Sequence, residues 1–229
     1  MQNLYAIIVA GGSGQRFSAE MRQSGIQVPK QFLLLNDKPI LMHSLQRFYD
    51  SDNAINIILV LPKEQISYWQ ELCKRYQFNI AHEVVEGGRT RTESVKNGLN
   101  QVPADAIVAI HDGVRPLLTT SLITYAFLQA AERGSAIPAI PATDSLRKTT
   151  GESVDRDTIV CVQTPQVFRA DEIKRAYKIL GEQSFSDDAT AYEKAGFKPT
   201  IIEGEKNNIK ITTPIDLLVA NEIQKNPKS

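Results

Sequence analysis

Three short apolar runs rich in β-branched residues constrain this chain most: "NLYAIIVA" from Asn3, "INIILVLP" from Ile55 and "DAIVAIHDG" from Asp105. Each is too short for a core helix and apolar on both sides, the pattern of a strand buried on both faces. Between them lie stretches of helical period. "KPILMHSLQRFYDS" places Ile40, Leu41, Leu45 and Phe48 near one stripe, and "KEQISYWQELCKRYQ" is similarly amphipathic. "NIAHEVVEGG" reads as a short strand, and "RTRTESVKNGLNQV" as a helix opening on threonines suited to capping. "SLITYAFLQAAERG" ends in a glycine that fits a C-cap, and "SAIPAIPATD" reads as extended. Strands and helices alternating in this way predict an α/β fold, a Rossmann-like, doubly wound and mostly parallel sheet.

The rhythm breaks over residues 142–163, where alternating stretches flank "TTGES" and predict a β-hairpin arm protruding from the fold. A two-stranded ribbon is barely stable alone, so the arm is expected to lean on something, and a second subunit is one candidate. Beyond it, "ADEIKRAYKILGEQ" and "SDDATAYEKAGF" read as helices. "KPTIIEG" and "NNIKIT" read as short strands, and "PIDLLVANEIQK" as a closing helix with proline near its start. The length of 229 residues fits one domain, 1–229, with the 142–163 arm inside it as a dimerisation element.

Lysine and arginine number 26, and aspartate and glutamate 26, so no global field recruits nucleic acid or an anionic membrane. An anionic ligand must be held by a local cluster. The N-terminal segment lacks a basic region and a long apolar run, which predicts neither a signal peptide nor a membrane span. Cys73 and Cys161 lie far apart in apolar or amphipathic settings and read as core thiols of a soluble cytoplasmic protein.

The first strand runs into "VAGGSGQRF". A Walker A loop would end in Gly-Lys-Ser/Thr, and here Gly14 is followed by Gln15 and Arg16. A dinucleotide fingerprint would place a third glycine where Phe17 stands. What remains is a nucleotide-sugar type of loop: Gly11, Gly12 and Gly14 open the backbone N–H groups to phosphate, and Arg16 and Lys30 supply cations. By itself, "GGSG" would serve equally well as a plain strand-to-helix turn.

In order along the chain stand "VAGGSGQRF", "PKQF", "GGRTRTESVKNGL", "HDGVRP", "VDR", "QTPQVF", "SDDATAYEKAG" and "EGEKNNIKIT". In this the chain resembles the 2-C-methyl-D-erythritol 4-phosphate cytidylyltransferases of the non-mevalonate isoprenoid pathway, over nearly its whole length. The resemblance implies a fold of the nucleotide-diphospho-sugar transferase type. It also implies transfer of CMP from CTP to the phosphate of a polyol phosphate, with Mg²⁺; the arm is expected to swap across a homodimer and carry Arg156 to the partner's active site. The metal ligands stay unassigned.

The resemblance places Arg16 and Lys30 at the triphosphate, and Arg156 and Lys210 around the substrate phosphate, as the catalytic cations. Ala10, Gly11, Gly12, Ser13 and Gly14 would line the CTP site with Gly88, Arg89 and Ser94, the base falling to Gly88 and Ser94. Asp112 and Gly113 would meet the ribose, and Asp112, Arg115, Ser145 and the "SDDAT" run from Ser186 the polyol. Read locally, Arg156 is equally a solvated arm residue, Lys210 a surface lysine on a strand, Ser94 part of a capped helix start, and Arg89 and Arg91 solvated. His111 reads as structural. Ribitol 5-phosphate cytidylyltransferases share the first half of the pattern, and a non-catalytic nucleotide-binding relative is a further alternative. Against the latter, all four catalytic cations are present.

Overall fold

The computed structural model describes residues 3–11 and 28–226. In chain order its strands are β1 (Leu4–Val9), β2 (Leu34–Leu35), β3 (Lys38–Pro39), β4 (Asn56–Leu61), β5 (Glu83–Glu86), β6 (Ile107–Asp112) and β7 (Ser135–Pro141). They continue with β8 (Leu146–Arg147), β9 (Ser153–Val154), β10 (Val160–Val162), β11 (Gln166–Arg169) and β12 (Ile201–Glu203). The helices are α1 (Ile40–Ser51), α2 (Lys63–Arg75), α3 (Arg91–Leu99), α4 (Thr120–Arg133), α5 (Ala170–Leu180), α6 (Asp188–Lys194) and α7 (Pro214–Lys225).

One sheet of order β10-β7-β11-β6-β1-β4-β5, with β12 against β7, organises the fold. Strands β5, β4, β1 and β6 are parallel, and β11 enters antiparallel between β6 and β7. Two-sided apolar strands dictate the layers. On one face Ala6, Ile8, Ile57, Leu59, Ile107 and Ala109 pack under α1, α2 and α4; on the other, Ile7, Val9, Ile58, Val60, Val108 and Ile110 pack under α3, α5 and α6. Gly98 of α3 lets that helix settle on the sheet, because a Cβ there would come 2.7 Å from Ile7 Cγ2. The chain runs β1, β4, β5 to one side and then crosses β1 to β6, so the switch point lies between the carboxyl ends of β1 and β6. Open α/β sheets collect ligands at such a point.

The expected hairpin exists as β8 and β9, a two-stranded sheet of their own around the turn at Gly151. Two expectations fail. "NNIKIT" is not a strand: Ile211 N donates to Val114 O at 2.9 Å, but no ladder follows. Its apolar alternation arises because Ile211 and Ile209 pack into a small cluster with Leu35 and Ile40. Cys161 is not a core thiol either, since it lies exposed on β10, and Cys73 is half-buried.

Candidate active site

At the switch point a cavity of about 320 Å³ opens, lined among others by Ala10, Gly11, Lys30, Gln31, Arg89 and Ser94. The strand ends and helix starts that bear these residues follow from local sequence. β1 ends at Val9, and Ala10 N still donates to Val60 O, which fixes the start of the glycine loop against β4. Pro29 leads into a single 3-10 turn, Lys30–Phe32. In that turn Gln31 is buried and its Nε2 donates to Ala10 O at 2.9 Å, while Phe32 stacks on Trp69 in the core. Thr90 caps α3 by accepting from Glu93 N at 3.1 Å. One turn in, Ser94 Oγ donates to Thr90 O and accepts from Gly88 N at 3.1 Å. A Cβ on Gly11 would stand 3.4 Å from the same Oγ, so the first glycine loop and the second converge on Ser94.

A second cavity of about 610 Å³ adjoins the first, lined by Arg115, Thr164, Ser186, Asp187, Thr190 and Lys198 among others. Arg91, Asp112 and Lys210 line both cavities. They form one charged cluster. Lys210 Nζ lies 2.8 Å from Asp112 Oδ2, Arg115 Nε 3.6 Å from the same oxygen, and Arg91 Nε 3.5 Å from Oδ1. Burial opposes ionisation of Asp112, but Arg91, Lys210 and Arg115 outweigh it and hold its carboxyl well below the usual carboxylate range. The guanidinium of Arg91 makes a fork on Asp188, with Nη1 to Oδ1 at 3.1 Å and Nη2 to Oδ2 at 2.7 Å. Burial alone would favour its neutral form; Asp188 and Asp112 reverse this and raise its pKa.

Asp112 is aimed by its neighbours. Its N–H donates to Thr164 Oγ1 at 3.0 Å, and Thr164 Oγ1 lies 3.1 Å from Nδ1 of the buried His111. The other ring nitrogen of His111 meets Arg115 O at 3.1 Å, so the ring donates there and accepts from the threonine. Burial pushes the His111 pKa down to about 4, with Asp112 only partly opposing, and the ring is a neutral structural member as its sequence context implied. Asn208 donates to Thr164 O at 2.9 Å and accepts at its own carbonyl from Arg115 Nη1 at 2.8 Å, which seats the segment ending in Lys210.

The structure thus brings together Ala10, Gly11, Lys30, Arg89, Ser94, Asp112 and Lys210 in one cavity, and Asp112, Arg115, Ser186 and Lys210 in the other. Gly88 stands at the rim through its bond to Ser94. Gly113 faces inward: a Cβ there would meet Leu41 Cδ1 at 2.8 Å and Ala10 Cβ at 3.1 Å, so this glycine serves close packing behind the site. Gly12, Ser13, Gly14 and Arg16 lie outside the described residues. Ser145 and Arg156 are exposed on the arm and line neither cavity; Arg156 Nη1 donates to Thr143 O at 3.1 Å.

From the sequence Arg91 could equally be solvated, Asp188 stands only within the "SDDAT" run placed near the polyol, and Gln31 and Thr164 receive no role. Arg91 is only 24% exposed, and Asp188 is fully buried. Gln31 carried a weak signal, since it sits between Lys30 and the core residue Phe32, but the Arg91–Asp188 pair spans 97 positions and has no local one.

Chemically, two adjoining cavities that share two cationic side chains, Arg91 and Lys210, around Asp112 suit two anionic ligands meeting there. Among the described residues no group of three histidine, cysteine or acidic side chains is arranged to hold a metal. No helix among them is long and apolar enough to cross a membrane.

Comparison with known proteins gives this geometry its context. The chain is 48% identical over 227 residues to a 2-C-methyl-D-erythritol 4-phosphate cytidylyltransferase of Azobacteroides pseudotrichonymphae genomovar. CFP2, covering 97% of this chain and 99% of the relative. It is 45% identical over 221 residues to one from Bacteroides fragilis, covering 95% and 98%. Among solved structures, the 4-diphosphocytidyl-2C-methyl-D-erythritol synthase of Anaerococcus prevotii superposes with a TM-score of 0.81 at 25% identity, covering 98% of this chain and 99% of that one. The Thermus thermophilus cytidylyltransferase superposes at 0.78 and 26% identity, covering 98% and 100%. The family profile of 2-C-methyl-D-erythritol 4-phosphate cytidylyltransferase matches residues 4–226, and the chain belongs to that family.

Proposed function

We propose that this protein transfers CMP from CTP to 2-C-methyl-D-erythritol 4-phosphate, giving 4-diphosphocytidyl-2-C-methyl-D-erythritol and pyrophosphate, in the making of isoprenoid precursors. The observation that carries the reading is that two cavities share Arg91, Asp112 and Lys210 in a chain matched to this family over residues 4–226. One substrate occupies each cavity, and the cluster between them is where the phosphates meet.

An oxygen of the substrate phosphate attacks the α-phosphorus of CTP, the bond from that phosphorus to the bridging oxygen breaks, and pyrophosphate leaves. The nucleophile is already an anion near neutral pH, so alignment and charge neutralisation do the catalysis and no general base is needed. Lys30, with Arg16, stabilises the charge on the α-phosphate and the leaving group; Lys210 draws the substrate phosphate in. Ser94 and Gly88 present polar groups to the cytosine edge, and Asp112 accepts from a ribose hydroxyl.

Mg²⁺ is part of the proposal. Asp112 is the one carboxylate among the described residues lining the nucleotide cavity, which fits an ion carried chiefly by the triphosphate rather than a protein cage. Such an ion neutralises phosphate charge when bound. Cys73 and Cys161 are free thiols, in keeping with a cytoplasmic location.

The proposal extends to a homodimer in which the arm brings Arg156 to the partner's substrate cavity. Ile159, Val160 and Val162 are exposed beside Arg156, an apolar edge of the kind a second subunit covers. The test of function is pyrophosphate release with CTP and Mg²⁺, offering methylerythritol phosphate and ribitol 5-phosphate in parallel, with Lys30→Ala as the inactive control. Release with ribitol phosphate alone would overturn the substrate, and silence with both despite CTP binding would overturn the enzyme. The dimer is tested by mixing Lys30→Ala and Arg156→Ala proteins. Recovery of activity on mixing is expected, and a fully active monomer in light scattering would rule the arrangement out.

A further inference from the structure

The first turn of α3 faces both ligand cavities. Ser94 accepts from the N–H of the Gly88 loop at the nucleotide cavity. Arg91 and Thr92 point the other way: Thr92 Oγ1 accepts from Phe185 N at 3.1 Å, and Arg91 forks onto Asp188, the first residue of α6. The segment they grip, Ser186 to Thr190, forms the wall of the second cavity.

Asp188 is unusually well held for a residue that touches no open surface. It is fully buried, accepts from Tyr177 Oη at 2.6 Å as well as from Arg91, and its own N–H donates to Gln166 Oε1 at 2.9 Å. Gln166 Oε1 also accepts from Ala189 N, and its Nε2 donates to Asp187 Oδ2 at 2.8 Å. The fork fixes the plane of the guanidinium, because two parallel N–H···O bonds leave it no rotation. In that plane Nε faces Asp112 Oδ1 at 3.5 Å, longer than a good hydrogen bond, while the other oxygen of Asp112 keeps its 2.8 Å contact with Lys210.

We propose that Asp188 is a positioning residue, one that restrains Arg91 from closing on Asp112 and so leaves the Asp112–Lys210 contact in the geometry that receives the substrate phosphate. The inference rests on the cytidylyltransferase reading above and adds a residue to it. Three cations, Arg91, Arg115 and Lys210, share two carboxylates, Asp112 and Asp188. With Asp188 neutral, Arg91 turns its full charge to Asp112 and competes with Lys210. The base-reading end of the nucleotide cavity, built by Ser94 and Gly88, is left as it was.

The test compares wild type with Asp188→Asn, which keeps the shape and removes the charge, and with Tyr177→Phe, which removes one hydrogen bond to the same carboxylate. Steady-state rates give the KM for methylerythritol phosphate, and calorimetry gives the Kd for CTP with Mg²⁺. Asp188→Asn is expected to raise the KM about tenfold or more, the size of one charged hydrogen bond, with the CTP Kd changed less than about twofold. Tyr177→Phe shows the same split at about two- to threefold and decides the matter if the asparagine variant does not fold. A merely structural role would lower thermal stability without that split. Variants that fold and show an unchanged KM, or that lose CTP affinity in the same proportion, would overturn the inference alone. A wild-type protein inactive with methylerythritol phosphate would overturn the functional reading, and the inference with it.

Discussion

Gln31 Nε2 donates to the carbonyl oxygen of Ala10 at 2.9 Å and also reaches Gln65 Oε1 at 2.5 Å. A buried amide thereby ties the turn that carries Lys30 to the end of β1, where the glycine loop begins. Lys30 is placed by this bond as much as by its own backbone.

Replacing Gln31 with alanine should therefore act on rate. A displacement of a cation by about 1 Å can cost about a hundredfold in turnover, so kcat is expected to fall roughly 10- to 100-fold. Two lost buried hydrogen bonds should lower stability by about 1–3 kcal/mol. Pyrophosphate release and a thermal melt on the same preparation check both, and an unchanged kcat would refute the placement argument.

Asp112 and Lys210 should separate stability from activity. Asp112→Ala leaves Arg91 and Arg115 without their shared carboxylate in a mostly buried setting, at an expected cost of about 3–5 kcal/mol. Lys210 is 40% exposed, so Lys210→Ala should cost under about 1 kcal/mol while abolishing most turnover. Urea denaturation of the two variants beside the wild type decides; equal losses of stability would contradict the asymmetry.

The buried histidine gives the protein an acid limit. His111 is fully buried with its pKa pushed down to about 4 from the ordinary 6.5, and the other two histidines shift the same way. The unfolded chain takes up the proton nearer 6.5, so it binds more protons across that window. Stability is then complete above pH 6.5 and lost progressively as pH falls toward 4, by roughly 3 kcal/mol from His111. Asp112, ionised by its cationic neighbours, adds a further loss at still lower pH. Urea midpoints taken from about pH 7 to about pH 4.5 measure the slope, and a flat profile would be incompatible with it.

At the base-reading end of the nucleotide cavity, Gly88→Ala places a methyl 2.2 Å from Glu93 Cβ and 3.2 Å from the Glu93 carbonyl carbon. The loop must move off α3, breaking the Gly88 N to Ser94 Oγ bond. CTP affinity is expected to weaken about tenfold, with the KM for the polyol phosphate nearly constant, because the second cavity does not include this loop. Calorimetry with CTP would expose the idea as wrong if the Kd held.

Much of the sheet was legible because its central strands are apolar on both faces, a pattern that helical period cannot imitate. Ile7 and Ile8 pack into opposite layers, as their shared burial requires. "NNIKIT" misled because Ile209 and Ile211 alternate for the sake of a local cluster, with no neighbouring strand to pair with. Cys161 misled for the opposite reason: its apolar flanks lie on an edge strand whose outer face is open in the single chain. The site was legible where a motif concentrates it, as with Lys30 in "PKQF" and Asp112 in "HDGVRP". It was illegible where two distant segments complete each other. Nothing near Arg91 announces Asp188, and nothing near Thr164 announces that it will orient both His111 and the N–H of Asp112.

Because Arg91, Asp112 and Lys210 line both cavities, the two ligands share one wall. Drift at any of these three would disturb nucleotide and polyol together, so a lineage adopting another polyol has to vary the outer rim, at residues such as Ser186, Thr190 and Lys198. The same sharing favours inhibitors that reach this cluster. A compound seated beside Ser94 that extends to Asp112 touches residues lining both cavities, and resistance at the shared cluster would tax the enzyme's own substrates as heavily as the drug.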